Sequence, residues 1–228
     1  MHACIVADGG APDRRALDES WPGWADDVAL VIAADGGARS AAALGLAIDL
    51  VVGDLDSLAP EDVRRLAADG IPFERVSPAK DETDTELALI AARDRGASRI
   101  TILCAMGGER LDHALANVLL LAHPVVADCE ARLLDPGGRV SLLRAPGPDG
   151  APVTRDLAGP PGALVSLIPL GVDAERVTTE GLAYPLHLET LPVGPARGCS
   201  NVRTAERARV TLGAGLLLVV ESPARLAA

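Results

Sequence analysis

Aromatic side chains are nearly absent from this chain: Phe, Trp and Tyr together make up 2% of its 228 residues. The core must therefore be built from Ala, Leu, Val and Ile, and a nucleic-acid surface that stacks bases on aromatic rings is argued against. Positive charge is also scarce. The net charge is −11, with 21 Lys plus Arg against 32 Asp plus Glu, so the basic footprint of a phosphate-backbone binder is missing. Cysteine is limited to Cys4, Cys104, Cys129 and Cys199, far apart and without a C-x-x-C pair. That spacing fits neither a disulfide scaffold nor a zinc site, and reads as reduced thiols of a cytoplasmic protein. Met1 to Val6 has no cationic lead and soon reaches Asp8, so no signal peptide is expected there. The best membrane candidate, Val118 to Ala127, contains His123 and Pro124 and falls short of spanning length, so no membrane partner is expected. No repeat of 20–50 residues and no nucleophile elbow are visible.

What the chain has is apolar residues, 49% of the total, enough for one large or two modest cores. In the first part, short apolar runs at Ala3–Ala7, Ala29–Ala34, Leu50–Val52 and Arg99–Cys104 alternate with helical patterns at 37–44, 60–69, 84–95 and 109–122. The alternation predicts an α/β domain over 1–138, Rossmann-like, with a mostly parallel sheet and helices on both faces. Beyond residue 138 Pro and Gly punctuate short apolar segments. Arg207–Leu212 alternates and Leu216–Val220 follows a Gly213-Ala214-Gly215 turn, which reads as a hairpin. A C-terminal all-β sandwich over 139–228 is expected.

Polar motifs follow the predicted strands, where open α/β sheets bind ligands. Asp54 and Asp56 are spaced i, i+2. In an extended strand that puts both on one side, about 6.6 Å apart. At ~5 Å and an effective dielectric of ~20 two such carboxylates repel by about 3 kcal/mol. Mg²⁺ relieves that repulsion and is usually held by one or two carboxylates plus substrate phosphates. A second cluster, Lys80-Asp81-Glu82-Thr83-Asp84-Thr85-Glu86, contains a Thr83/Glu86 capping box, but a cap alone needs neither Lys80, Asp81 nor Asp84. A third begins at Gly107-Gly108, whose backbone can approach a phosphate at a helix start. On that helix Arg110, His113 and Asn117 form a polar stripe, opposite an apolar face of Leu111, Leu115, Val118 and Ala122. Asp35-Gly36-Gly37 and Asp8-Gly9-Gly10 are strand-end glycine pairs. Each is weak evidence alone and neither matches a dinucleotide or Walker fingerprint. His2, His123 and His187 have no partner spacing.

Together these segments resemble the thiamine pyrophosphokinase (thiamine diphosphokinase) family. The resemblance lies in ADGGA at 34–38, GDLDS at 53–57, KDETDTELAL at 80–89, GGERLDHALAN at 107–117, GLAYPL at 181–186 and Ser200-Asn201. It implies transfer of the diphosphoryl group of ATP to the hydroxyl of thiamine, giving AMP and thiamine diphosphate. It further implies a homodimer with a shared active site. By the matching motifs, Asp54, Asp56 and Asp84 would hold Mg²⁺, with Arg110 completing the catalytic set. Asp35, Gly36, Lys80, Asp81, Arg110, Asp112, His113 and Asn117 would bind ATP. Tyr184, Ser200 and Asn201 would approach thiamine. The chain departs from the family pattern at Val202, where an acidic residue is common, and its C-terminal part has no Trp. Two other readings compete. One is a pyrophosphokinase for another heterocyclic alcohol such as hydroxymethyl-dihydropterin, whose family is expected to lack this β domain. The other is a nucleotide-sensing module without turnover, against which the intact Asp54, Asp56 and Asp84 argue.

Overall fold

β1 (His2–Val6) is buried at every residue, because HACIV runs through the middle of a sheet. The structure, a computed structural model, describes residues 1–224. The chain divides into two compact units, Met1–Pro136 and Gly137–Ala228, where composition placed the change at 138/139.

In the first unit β1 is followed by α1 (Arg14–Ser20), β2 (Val28–Ala34), α2 (Gly37–Ala43), β3 (Leu50–Gly53), α3 (Pro60–Ala68), β4 (Phe73–Arg75), α4 (Asp84–Asp94), β5 (Arg99–Leu103), α5 (Leu111–Leu119) and β6 (Glu130–Asp135). The strands pair in parallel in the order β6-β5-β1-β2-β3-β4. Ile5 stands beside Ile32 and Ile102 across the two neighbouring pairs, and all three are fully buried. The opposite parity, Cys4, Val6 and Val31, packs with Leu17 of α1 and Ala41 of α2. Truncating such a side chain costs about 2–5 kcal/mol. Helix starts follow local rules. Asp13 and Thr83 cap α1 and α4 by accepting from Arg15 N and Glu86 N, and α3 opens on Pro60 with Glu61 and Asp62 in its first turn. All four cysteines are free. Burial pushes the Cys4 and Cys104 thiols up to about 12, so both serve as packing groups.

The second unit contains β7 (Gly138–Ala145), β8 (Val153–Ala158), β9 (Leu164–Pro169), β10 (Ala174–Glu180), β11 (Glu189–Leu191), β12 (Asn201–Val202), β13 (Arg207–Leu212) and β14 (Gly215–Glu221). Two antiparallel layers form, β12-β9-β14-β7 and β11-β10-β13-β8. Alternate residues of both, among them Val165, Leu167, Val177, Val210, Leu212, Leu217 and Val219, share one core.

The expected hairpin is corrected here. β13 pairs with β8 and β10, whereas β14 pairs with β7 and β9, so the glycine turn carries the chain between layers. Gly215 makes this corner possible: its φ is +100°, and a Cβ there would lie 2.5 Å from Asp173 O. Both strands bury one face in the shared core, and each pairs with two neighbours inside its own layer.

Candidate active site

The loops at the carboxyl ends of β1, β2, β3 and β5 meet the start of α4 and the first turns of α5 around a cleft of about 430 Å³. Its walls include Asp8, Asp35, Ser57, Lys80, Asp84, Arg110, His113 and Asn117. Glycine at three loops lets them close. A Cβ on Gly36 would fall 2.2 Å from Asp8 Oδ2, and one on Gly107 would fall 2.6 Å from Gly9 O. At Gly53, φ is +151° and a Cβ would lie 2.9 Å from Asp35 Cβ. The diglycine at 107–108 is therefore required first by its contact with the Gly9 backbone.

Carboxylate oxygens of Asp35, Asp54 and Asp84 lie within 4.8 Å of one another. Asp35 is 3% exposed. Its Oδ2 accepts from Ser57 N at 3.2 Å, while its buried Oδ1 has no partner among the described residues. Burial raises the Asp35 carboxyl above its ordinary value, only partly offset by Ser57. Asp54 is held below the usual range, first by the Asp56 backbone N–H on its Oδ1 at 3.2 Å and then by Lys80. Lys80 Nζ donates to Asp84 Oδ1 and stands 3.5 Å from Asp54 Oδ2. Burial works against the Lys80 charge, but Asp84 and Asp54 outweigh it and raise the ammonium above its ordinary value. A pocket of three carboxylates with one buried oxygen unpartnered is a donor set that fits a hard divalent cation.

The extended geometry expected for Asp54 and Asp56 is corrected. β3 ends at Gly53, and Leu55 between them has φ +67°, so the two do not share an extended strand; the Asp56 N–H turns back onto Asp54 Oδ1 at 3.2 Å. Asp54 faces Lys80. Asp56 is exposed at the rim, accepting from Ser57 Oγ at 3.1 Å, and the three carboxylates that group together are Asp35, Asp54 and Asp84.

α5 is also rotated from its expected setting. Asn117 is buried and its Nδ2 donates to Ala105 O at 2.9 Å, which points this face of the helix at the sheet. Leu111 and Leu115, read as a buried face, are 73% and 59% exposed. A buried carbonyl at the end of β5 needs a donor, and that requirement orients the helix. Arg110 sits at the helix cap rather than within it. Its guanidinium forms a two-pronged bond to Asp112, at 2.9 and 2.7 Å, which holds the Asp112 carboxyl well below its usual range. His113 is exposed at the cleft wall, and Asp81 is exposed on the loop before α4.

In the second unit Tyr184, Ser200 and Asn201 share one edge. The buried Asn201 amide grips the Tyr184 backbone, accepting from its N–H at 3.0 Å and donating to its C=O at 2.7 Å. Tyr184 itself is 70% exposed. Ser200 has φ +59° and its N–H donates to Ser166 Oγ at 2.9 Å.

Of two further residues at the site, the sequence marks Asp8 only as part of a weak glycine-pair motif and does not single out Arg39. Asp8 lines the cleft, and Arg39 of α2 stands 3.5 Å from it while its other terminal nitrogen donates to Ser57 O. Burial raises the Asp8 carboxyl, with Arg39 opposing. The available signal was position. Asp8 follows β1 just as Asp35 follows β2 and Asp54 follows β3.

Comparison with known proteins gives the family. The family description "Thiamin pyrophosphokinase, catalytic domain" matches residues 23–133, and "Thiamin pyrophosphokinase, vitamin B1 binding domain" matches residues 153–217. Together they span most of the chain. The chain belongs to the thiamin pyrophosphokinase family. A thiamine pyrophosphokinase of Bacillus subtilis is 28% identical over 218 residues, covering 96% of this chain and 97% of that protein. The crystal structure of a thiamine pyrophosphokinase from Bacillus subtilis superposes with a TM-score of 0.83 at 27% identity, over 99% of this chain and 100% of the other. That of a thiamin pyrophosphokinase from Geobacillus thermodenitrificans gives 0.78 at 27% identity, over 97% of each chain. Within the family's catalytic match lie Asp35, Asp54, Lys80, Asp84, Arg110 and Asn117; within the B1-binding match lie Tyr184, Ser200 and Asn201.

Proposed function

We propose that this cleft transfers the β,γ-diphosphoryl group of ATP to the hydroxyl oxygen of thiamine, giving thiamine diphosphate and AMP. The observation that carries the reading is the meeting of Asp35, Asp54 and Asp84 with Lys80 at the carboxyl edge of the sheet. Diphosphoryl transfer needs charge stabilisation and alignment more than covalent help from the protein. Mg²⁺ held by these carboxylates would neutralise charge on the phosphate oxygens and align them.

The protein groups have separable tasks. Asp54, on a loop, and Asp84, at a helix start, are half-buried and would be ligands, and the buried Oδ1 of Asp35, without a partner among the described residues, would be the third donor. Asp56, at the rim and coupled to Asp54 through its own N–H, would face the metal from outside that group of three. Arg110 exchanges its Asp112 partner for phosphate oxygens of the nucleotide, a swap that its planar fork suits. His113, Asn117, Gly36 and Asp81 bound the nucleotide side, with Asn117 acting by fixing α5. In the second unit Asn201 sets the Tyr184 segment, and Ser200 and Tyr184 present the surface toward thiamine. The two halves of the chemistry lie on two units. This supports a homodimer in which the catalytic unit of one subunit and the B1-binding unit of its partner complete each site. Four free thiols and the use of ATP support a cytoplasmic setting. No helix among the described residues is long and apolar enough to cross a membrane.

The test is product analysis with ATP, Mg²⁺ and thiamine. AMP and thiamine diphosphate in equal amounts are expected. Release of ADP, or turnover with hydroxymethyl-dihydropterin and none with thiamine, would overturn the reading.

A further inference from the structure

Lys80 is the only lysine in the sequence; the other members of the 21 Lys plus Arg are all arginine. This one lysine stands at the acidic cluster, its side chain 13% exposed, on oxygens of both Asp84 and Asp54. Those are two of the three carboxylates that fit a divalent cation. The remaining one, Asp35, has the buried oxygen without a partner among the described residues. Lys80 therefore occupies the carboxylates that a metal needs.

The geometry points to Lys80 as the resident cation of the metal site. It holds Asp54 and Asp84 together before metal arrives, yields them when a divalent ion enters, and then turns its ammonium to the polyphosphate in the same cleft. The inference rests on the function proposed above and adds an order of events to it. Three carboxylates and one ammonium leave a charge deficit that a single divalent cation balances. Without the ammonium the cluster would repel itself apart at close range. Lysine suits the role and arginine does not. Its ammonium is a compact point charge on a flexible four-carbon stem, whereas a guanidinium would lock onto a carboxylate with a rigid fork. Once released, a largely buried ammonium needs another anion. Lys80 lines the cleft together with Gly107, Arg110 and His113, where phosphate oxygens would lie. Metal and Lys80 thus compete in the free enzyme and cooperate once nucleotide is present, a coupling between two ligands.

The single lysine makes the test direct. Protein labelled with ¹³C,¹⁵N-lysine gives one side-chain ε-methylene signal. Magnesium chloride is titrated in while calorimetry on the same protein follows metal binding, and a non-hydrolysable ATP analogue is then added. The expected result is a Lys80 signal that moves with the metal-binding isotherm, then moves again with nucleotide. A parallel titration uses Mn²⁺ followed by electron paramagnetic resonance. Lys80→Gln should bind Mn²⁺ roughly tenfold tighter than wild type in the absence of nucleotide and bind the analogue more weakly. Lys80→Arg, which keeps the charge, should bind Mn²⁺ more weakly than wild type. A lysine signal unmoved by metal, no metal binding to the free protein, or Mn²⁺ affinity of Lys80→Gln no higher than wild type overturns the inference. An unmoved signal in an enzyme that makes AMP and thiamine diphosphate rejects only this inference. A moving signal without those products rejects only the proposed function.

Discussion

Asp35 keeps one carboxylate oxygen buried and unpartnered among the described residues, and burial raises its carboxyl. A folded-state value above the unfolded one contributes stability at acid pH that is lost as pH rises through the folded value. Metal-free Asp35→Asn is therefore expected to be more stable than wild type at neutral pH. That advantage should vanish below about pH 3.9, the ordinary Asp value. Thermal melts in a chelator across pH measure this, and a constant offset at every pH would contradict it. Adding Mg²⁺ should stabilise wild type and do little for the variant. Asp54→Asn should keep the fold and lower kcat by about 10²–10³, since a lost metal ligand removes several kcal/mol of transition-state stabilisation. Activity within twofold at saturating Mg²⁺ would remove Asp54 from the site. The sequence marked Asp54 by its spacing from Asp56, and Lys80 and Asp84 by charges that capping alone does not require. It hid the grouping. Leu55 at positive φ reverses the expected pairing, and nothing in the residue types of GDLDS announces a left-handed leucine.

At the scale of elements, α5 shows how one polar atom overrides a hydrophobic pattern. The leucine periodicity predicts burial, but the Asn117 bond to Ala105 O turns the leucines outward. Asn117→Ala should cost about 1–3 kcal/mol by stranding a buried carbonyl. Leu115→Gln should stay within about 0.5 kcal/mol. Denaturant midpoints compare the two directly, and the reverse order would restore the apolar-face reading. The strands β1, β2, β3 and β5 were readable because a parallel sheet buried on both sides demands unbroken apolar runs. β4 and α1 were not, because FER and RRALDES are short and largely polar. β13 and β14 were readable as strands. Their partners were not, since a glycine turn looks alike whether it closes a hairpin or crosses between layers.

At the scale of the molecule, the catalytic-domain match falls in the first unit and the B1-binding match in the second. If each site is completed across a homodimer, mixing two inactive proteins restores function. Asp54→Asn subunits exchanged with a Ser200→Ala/Tyr184→Ala variant should recover activity in mixed dimers, each with one intact site of two. Demonstrated exchange with no recovery would put both halves in one chain. The Pro- and Gly-rich change of character after residue 138 lies close to the division at 136/137, whereas a subunit partnership would leave no periodic trace in one chain. In the proposed reaction the thiamine hydroxyl attacks the β-phosphorus of ATP, and phosphorus-labelled ATP follows that step. With ATP carrying label at the α-, β- or γ-phosphorus in turn, β and γ label should pass together into thiamine diphosphate while α label stays in AMP. Passage of γ label alone, with ADP and thiamine monophosphate as products, would contradict the account.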